Sequence, residues 1–84
     1  MEGKLSVTAS SPGYVELAAE FSDVPEDVDL HLSFECDGYS REWTHPGGGG
    51  WGWDVGFDEL PEGEHGTATL RAGETVLATL ETDT

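Results

Sequence analysis

Apolar residues recur at every second position along three runs of this chain. Val15, Leu17, Ala19 and Phe21 alternate with Glu16, Ala18 and Glu20. Val28, Leu30, Leu32, Phe34 and Cys36 alternate with Asp29, His31, Ser33 and Glu35. Trp51, Trp53, Val55 and Phe57 alternate with Gly52, Asp54 and Gly56. Period two marks strands with one buried and one wet face. An amphipathic helix needs apolar residues at three- and four-residue steps, and no long window has them.

Weaker runs extend the pattern. Leu5, Val7 and Ala9 predict a first strand, Ala68 and Leu70 a sixth, and Val76, Ala78 and Leu80 a seventh. Turn signals separate the runs: Ser11-Pro12-Gly13, Val24-Pro25-Glu26-Asp27, Asp37-Gly38, His45-Pro46-Gly47, Pro61-Glu62-Gly63 and Ala72-Gly73-Glu74. Asp37-Gly38 is the sharpest of these. It predicts a two-residue hairpin of type I′, whose twist matches that of its strands. Cys36 then faces Tyr39, Phe34 faces Arg41 and Leu32 faces Trp43, all on one side. Arg41 is expected at the core edge, its stem packed and its head reaching outward, or else paired with a carboxylate. Short strands at roughly ten-residue spacing, without helix, predict an all-β fold: one small antiparallel β-sandwich of about seven strands over residues 1–84.

The C-terminal third carries a resemblance. Leu60-Pro61-Glu62-Gly63-Glu64-His65, then Thr67-Ala68-Thr69-Leu70, then a turn at Gly73 and Thr75-Val76-Leu77-Ala78, resembles the last hairpin of immunoglobulin-like and fibronectin type III-like domains. There a Leu-Pro-x-Gly corner leads into a strand opened by an aromatic. His65 stands where those families usually carry Tyr, and the antibody-type cysteine pair is absent. The resemblance covers this hairpin only. It implies an immunoglobulin-like sandwich and no particular activity, because such sandwiches carry unrelated functions.

Charge changes the picture most. Eighteen Asp and Glu stand against three Lys and Arg, a formal net charge of -15 on 84 residues. With three Trp, two Tyr and three Phe among its apolar residues, the chain is too rich in strand formers for a disordered acidic tail. Screening reaches about 10 Å at 0.1 M salt and about 3 Å at 1 M, so in low salt the carboxylates repel across much of a globule this small. Direct binding to nucleic acid or to an anionic membrane is not expected, since both require a basic footprint. A protein partner with a basic surface is. The state expected is a monomer or weak homodimer, the latter through an open strand edge.

One cysteine, Cys36, excludes an internal disulfide. Residues Met1 to Val7 show no positive stretch ahead of an apolar run, and no apolar stretch approaches the ~18 residues of a membrane span. A cytoplasmic protein is expected. A domain excised from an exported chain would read the same.

Chemistry is sparse. His31, His45, His65 and Cys36 form no zinc-ligand spacing, and His31 and Cys36 have opposite parity on one strand. Asp23, Glu26, Asp27 and Asp29 lack the EF-hand pattern and read as a solvated loop. No metal or cofactor is expected. No nucleophile sits in a recognisable elbow. The four glycines at 47–50 lack the Lys and Ser or Thr of a phosphate loop. They read as a slack connection between strands or, beside aromatics, as a mobile binding lip. The chain is read as a binding protein and not an enzyme.

Two binding surfaces are candidates. Asp27, Asp29, Glu35 and Asp37 are expected to alternate outward along one strand, and Glu16 and Glu20 along another. Same-face neighbours lie roughly 7 Å apart, a scale on which rows of carboxylates can imitate a nucleic-acid backbone. Small acidic inhibitors of restriction or CRISPR machinery resemble this chain in size and charge. A halophile surface, as in a structural module of a high-salt assembly, fits the same composition. The second surface is aromatic. Trp51 and Trp53 share a face and, turned outward beside Trp43 and His45, would stack sugar rings or anchor a partner. Turned inward they are core, and the small outward residues Gly52 and Gly56 favour that reading. Trp51, nearest the glycines, is expected to be partly exposed.

Overall fold

The computed structural model describes every residue from Met1 to Thr84 and contains seven strands and no helix. They are β1 (Glu2–Ser11), β2 (Tyr14–Val24), β3 (Leu30–Cys36), β4 (Tyr39–His45), β5 (Gly49–Phe57), β6 (His65–Ala72) and β7 (Thr75–Asp83). They form two antiparallel sheets, one of order β1-β2-β5 and one of order β4-β3-β6-β7. The sheets pack face to face as a small β-sandwich, with a Cα radius of gyration of 12.5 Å.

The alternating runs supply the interior. Val15, Leu17, Ala19 and Phe21 of β2 and Val55 and Phe57 of β5 meet Leu30, Leu32 and Phe34 of β3 and Ala68, Leu70 and Ala72 of β6. Val24 and Leu60 close the ends, and these fourteen residues make one cluster. No polar or charged residue is buried, so the interior bears no desolvated charge.

The β3–β4 register is as expected: Cys36 pairs with Tyr39, Phe34 with Arg41 and Leu32 with Trp43. The turn itself is not type I′. That type needs positive φ at both central residues, and only Gly38 has it, at 72°. Arg41 stands on the inward-facing side but is exposed, because β4 is the sheet's edge. Its guanidinium carbon lies 5.7 Å from the Tyr39 ring centroid.

Bulges overturn two expected alternations. A register shift between Val7 and Ala9 turns Ala9 toward the side of Glu16, outside the core. Another, opposite Leu70 and Arg71, leaves Val76 exposed and brings Leu77 onto the core. There Leu77 lies over Gly3, at the closed side of the sandwich where β1 meets β7. Val28 is not part of β3. Its N–H donates to the Pro25 carbonyl at 3.2 Å, closing a turn over residues 25–28.

Candidate functional site

The six carboxylates expected to share a working face do not. On β2, Glu16 and Glu20 point outward from the three-stranded sheet, since their neighbours Val15, Leu17, Ala19 and Phe21 point in. Four residues of strand separate them by about 13 Å, with Ala18 between, instead of the roughly 7 Å of adjacent same-face positions. Glu35 points outward from the opposite sheet, beside Ser40 and Thr67. Asp27 lies in the 25–28 turn and Asp29 precedes β3, its carbonyl accepting from Gly73 N–H at 2.9 Å. Asp37 lies in the hairpin turn at the far end of β3. The expected acidic row along one strand is therefore absent: Asp27 and Asp37 lie in turns, Asp29 in the connection before β3, and only Glu35 in a sheet.

The carboxylates instead surround the molecule. Asp58, Glu59, Glu62 and Glu64 form a further acidic group within seven residues of sequence, one that alternation does not reveal. They occupy the β5–β6 connection, at the same end as Asp37. Burial chiefly, and then the fields of Glu64 and Asp37, push the Cys36 thiol above its ordinary range. Tyr39, whose hydroxyl donates to the Asp58 carbonyl at 3.3 Å, is likewise raised, mainly by burial.

Cationic compensation is thin. The one Arg–carboxylate ion pair joins Arg71 Nη2 to Glu42 Oε2 at 3.1 Å. His31 Nδ1 approaches Glu42 Oε1 at 3.4 Å. His65 lies between Glu81, 3.4 Å from Nε2, and Asp83, 3.1 Å from Nδ1. Hydrogen bonding to Asp83, then to Glu81, holds this imidazole above its ordinary titration range. Glu16 is satisfied without a cation, accepting from the Tyr14 hydroxyl at 2.8 Å, and that bond is the main cause of the raised Tyr14 pKa.

The aromatic candidates do converge. Trp51 and Trp53 of β5 pair with Phe21 and Ala19 of β2 and so face inward. From the other sheet, His45 of β4 stacks on Trp53 with centroids 4.6 Å apart and planes at 15°. It also lies 6.3 Å from Trp51 at 23°. Phe21 meets His45 and Trp53 edge-on at 5.8 and 6.1 Å. Trp53 is thereby half-buried. Trp51, at the rim, is 61% exposed, and Trp43, on edge strand β4, is 47% exposed. These rings mark the open side of the sandwich, where β4 faces β5.

The glycine tract is not a slack lip. Gly49 and Gly50 belong to β5. Gly48 N–H donates to the Val24 carbonyl at 3.2 Å. At Gly47 a Cβ would strike the carbonyls of Val28 and Pro25, so only glycine lets this segment close against the 25–28 turn. The tract secures β5 and the rim that carries Trp51.

The remaining surface holds two open depressions. One, of about 580 Å³, lies beside the β1 terminus and is lined in part by Lys4, Glu20 and Leu77. The other, of about 360 Å³, lies on the outer face of the four-stranded sheet among Ser33, Glu35, Thr69 and Arg71. Nowhere do three His, Cys, Asp or Glu side chains gather as metal ligands. Thr44 Oγ1 lies 3.4 Å from His31, but at Nδ1, the same ring nitrogen that faces Glu42. A hydroxyl–imidazole–carboxylate relay uses both ring nitrogens.

No family model, no curated protein and no solved structure matches this chain.

Proposed function

We propose that this protein is a non-enzymatic binding module that docks its acidic surface on a basic protein surface. The observation that carries this reading is the excess of carboxylates without a cation. Eighteen acids are present, one is paired with an arginine, and none is buried. Such a surface repels itself, and a cationic partner relieves that repulsion while steering association. A specific form of the reading is inhibition, with the carboxylates occupying a groove that otherwise holds nucleic acid. The distribution of acids over both outer faces and both ends favours insertion into a groove over docking by one flat row.

We read the sandwich as immunoglobulin-like in style. In antibody constant-type domains the fourth strand joins the sheet of the first two. Here β4 joins β3 instead, an order that supports the fibronectin type III-like form of the resemblance over the antibody-type one.

Affinity capture from host lysate at 0.05 and 0.5 M salt tests the function. The expected result is a basic protein that is retained at low salt, released at high salt and displaced by duplex DNA. Retention of no basic protein at either salt would overturn the proposal. Salt-sensitive retention that DNA does not affect would remove the inhibitory form alone.

A further inference from the structure

We infer that the open side of the sandwich is a receptor strip for Lys and Arg side chains of an extended basic segment, which lie on the uncovered indoles of Trp43 and Trp51. This rests on the docking reading above and names its contact point.

Four observations support the strip. The first is exposure of a backed aromatic. Trp51 is 61% exposed, with His45, itself stacked on Trp53, 6.3 Å behind its ring. Tryptophan is among the residue types most enriched at the anchor points of interfaces. Trp43 is 47% exposed because β4 forms the edge of its sheet.

The second is chemistry already present on that strip. Tyr39, Arg41, Trp43 and His45 share the inward-facing side of β4, opposite Cys36, Phe34, Leu32 and Leu30. Arg41 holds its guanidinium over Tyr39 at 5.7 Å, within the range of a cation–π contact. The strip thus satisfies one cation internally and leaves two better rings, both indoles, without one.

The third is charge. Carboxylates lie at both ends of the strip: Asp58, whose carbonyl accepts from Tyr39, at one end, and Glu26, packed beside Gly48, at the other. With a net charge of -15 around it, the strip favours a cation over a neutral ring ligand or a second copy of this chain. The fourth is accessibility of backbone. Both β4 and β5 are edge strands, so an extended segment meets unpaired strand edges on this side.

The test uses the intact protein and short unstructured peptides of alternating Arg and Ser, with citrulline and Glu versions as controls. Binding is read by indole fluorescence and by backbone amide shifts. The Arg peptide should bind in 50 mM salt and shift residues of β4 and β5, while the citrulline and Glu peptides should not. Trp43→Ala with Trp51→Ala should weaken binding about tenfold, the combined effect of two exposed cation–π contacts. Circular dichroism checks that the variant folds, and the shift map of the unaltered protein stands independently of it. Three results would overturn the inference. Salt-sensitive binding of the Arg peptide that shifts only the outer sheet faces would leave the electrostatic reading and remove the strip. Perturbation of Trp51 by oligosaccharides or by self-association of the chain, but not by the Arg peptide, would remove it too. Failure of the Arg peptide to bind while a basic protein is still captured from lysate would remove the strip alone.

Discussion

His45 and Trp53 belong to different sheets, yet their rings stack with centroids 4.6 Å apart and planes at 15°. This contact joins the β4 and β5 edges on the open side. An aromatic pair contributes roughly 0.5–1.5 kcal/mol beyond the area it buries. His45→Ala is therefore expected to destabilise the fold by about 1 kcal/mol. It should also wet Trp53, seen as a red shift in tryptophan emission. Unchanged emission would show that Phe21 alone shields that indole.

Gly66 is buried against the ring of Phe34, which stacks in turn on Phe57 at 5.2 Å. A methyl group at position 66 overlaps that ring. Gly66→Ala should cost about 1–3 kcal/mol through overpacking. For a domain of this size each kcal/mol lowers Tm by about 4–8 °C, so calorimetry resolves the effect. A paired Phe34→Leu change should return part of the loss by vacating the space.

The uncompensated carboxylates predict a salt response. Raising KCl from 0.1 to 1 M shortens the screening length from about 10 to about 3 Å and removes all but the nearest repulsions. Tm should rise over this interval. A flat response would show that the acids lie too far apart in the folded state to repel.

His65 predicts a pH response with a definite sign. Its folded pKa is raised by Asp83 and Glu81, because the two carboxylates face both ring nitrogens and favour the doubly protonated form. The folded state therefore holds this proton more tightly than the unfolded one. Its contribution is complete below the unfolded value of about 6.5 and is lost as pH rises through the higher folded value. Stability should fall with increasing pH above about 6.5, and His65→Gln should remove that slope. Proton NMR titration of the imidazole gives the folded value directly.

Alternation was enough to place Leu17, Leu32, Phe34 and Val55 inside and to mark six of the seven strands, while the Asp37-Gly38 turn signal supplied β4. Successive strand side chains point to opposite sides whatever the strand's neighbours are. The β3–β4 register was also legible, since a two-residue turn leaves one pairing between Cys36 and Tyr39. The exposure of Trp51 followed from its place at the end of its run.

Other features depend on contacts between segments far apart in the chain. Parity says which side a residue is on but not whether anything covers that side. Trp43 faces inward and is half uncovered because its strand lies at an edge. The bulges beside Ala9 and Leu77 reverse parity without any local signal. The glycine tract read as slack because nothing nearby in sequence explains Gly47, whose neighbour is the turn at 25–28. Asp27, Asp29 and Asp37 looked like parts of one strand, but that strand stops short of all three. The start of β3 is fixed in part by the bond from Gly73 N–H to the Asp29 carbonyl, which joins segments far apart in the chain and exists only once β3 and β6 have paired.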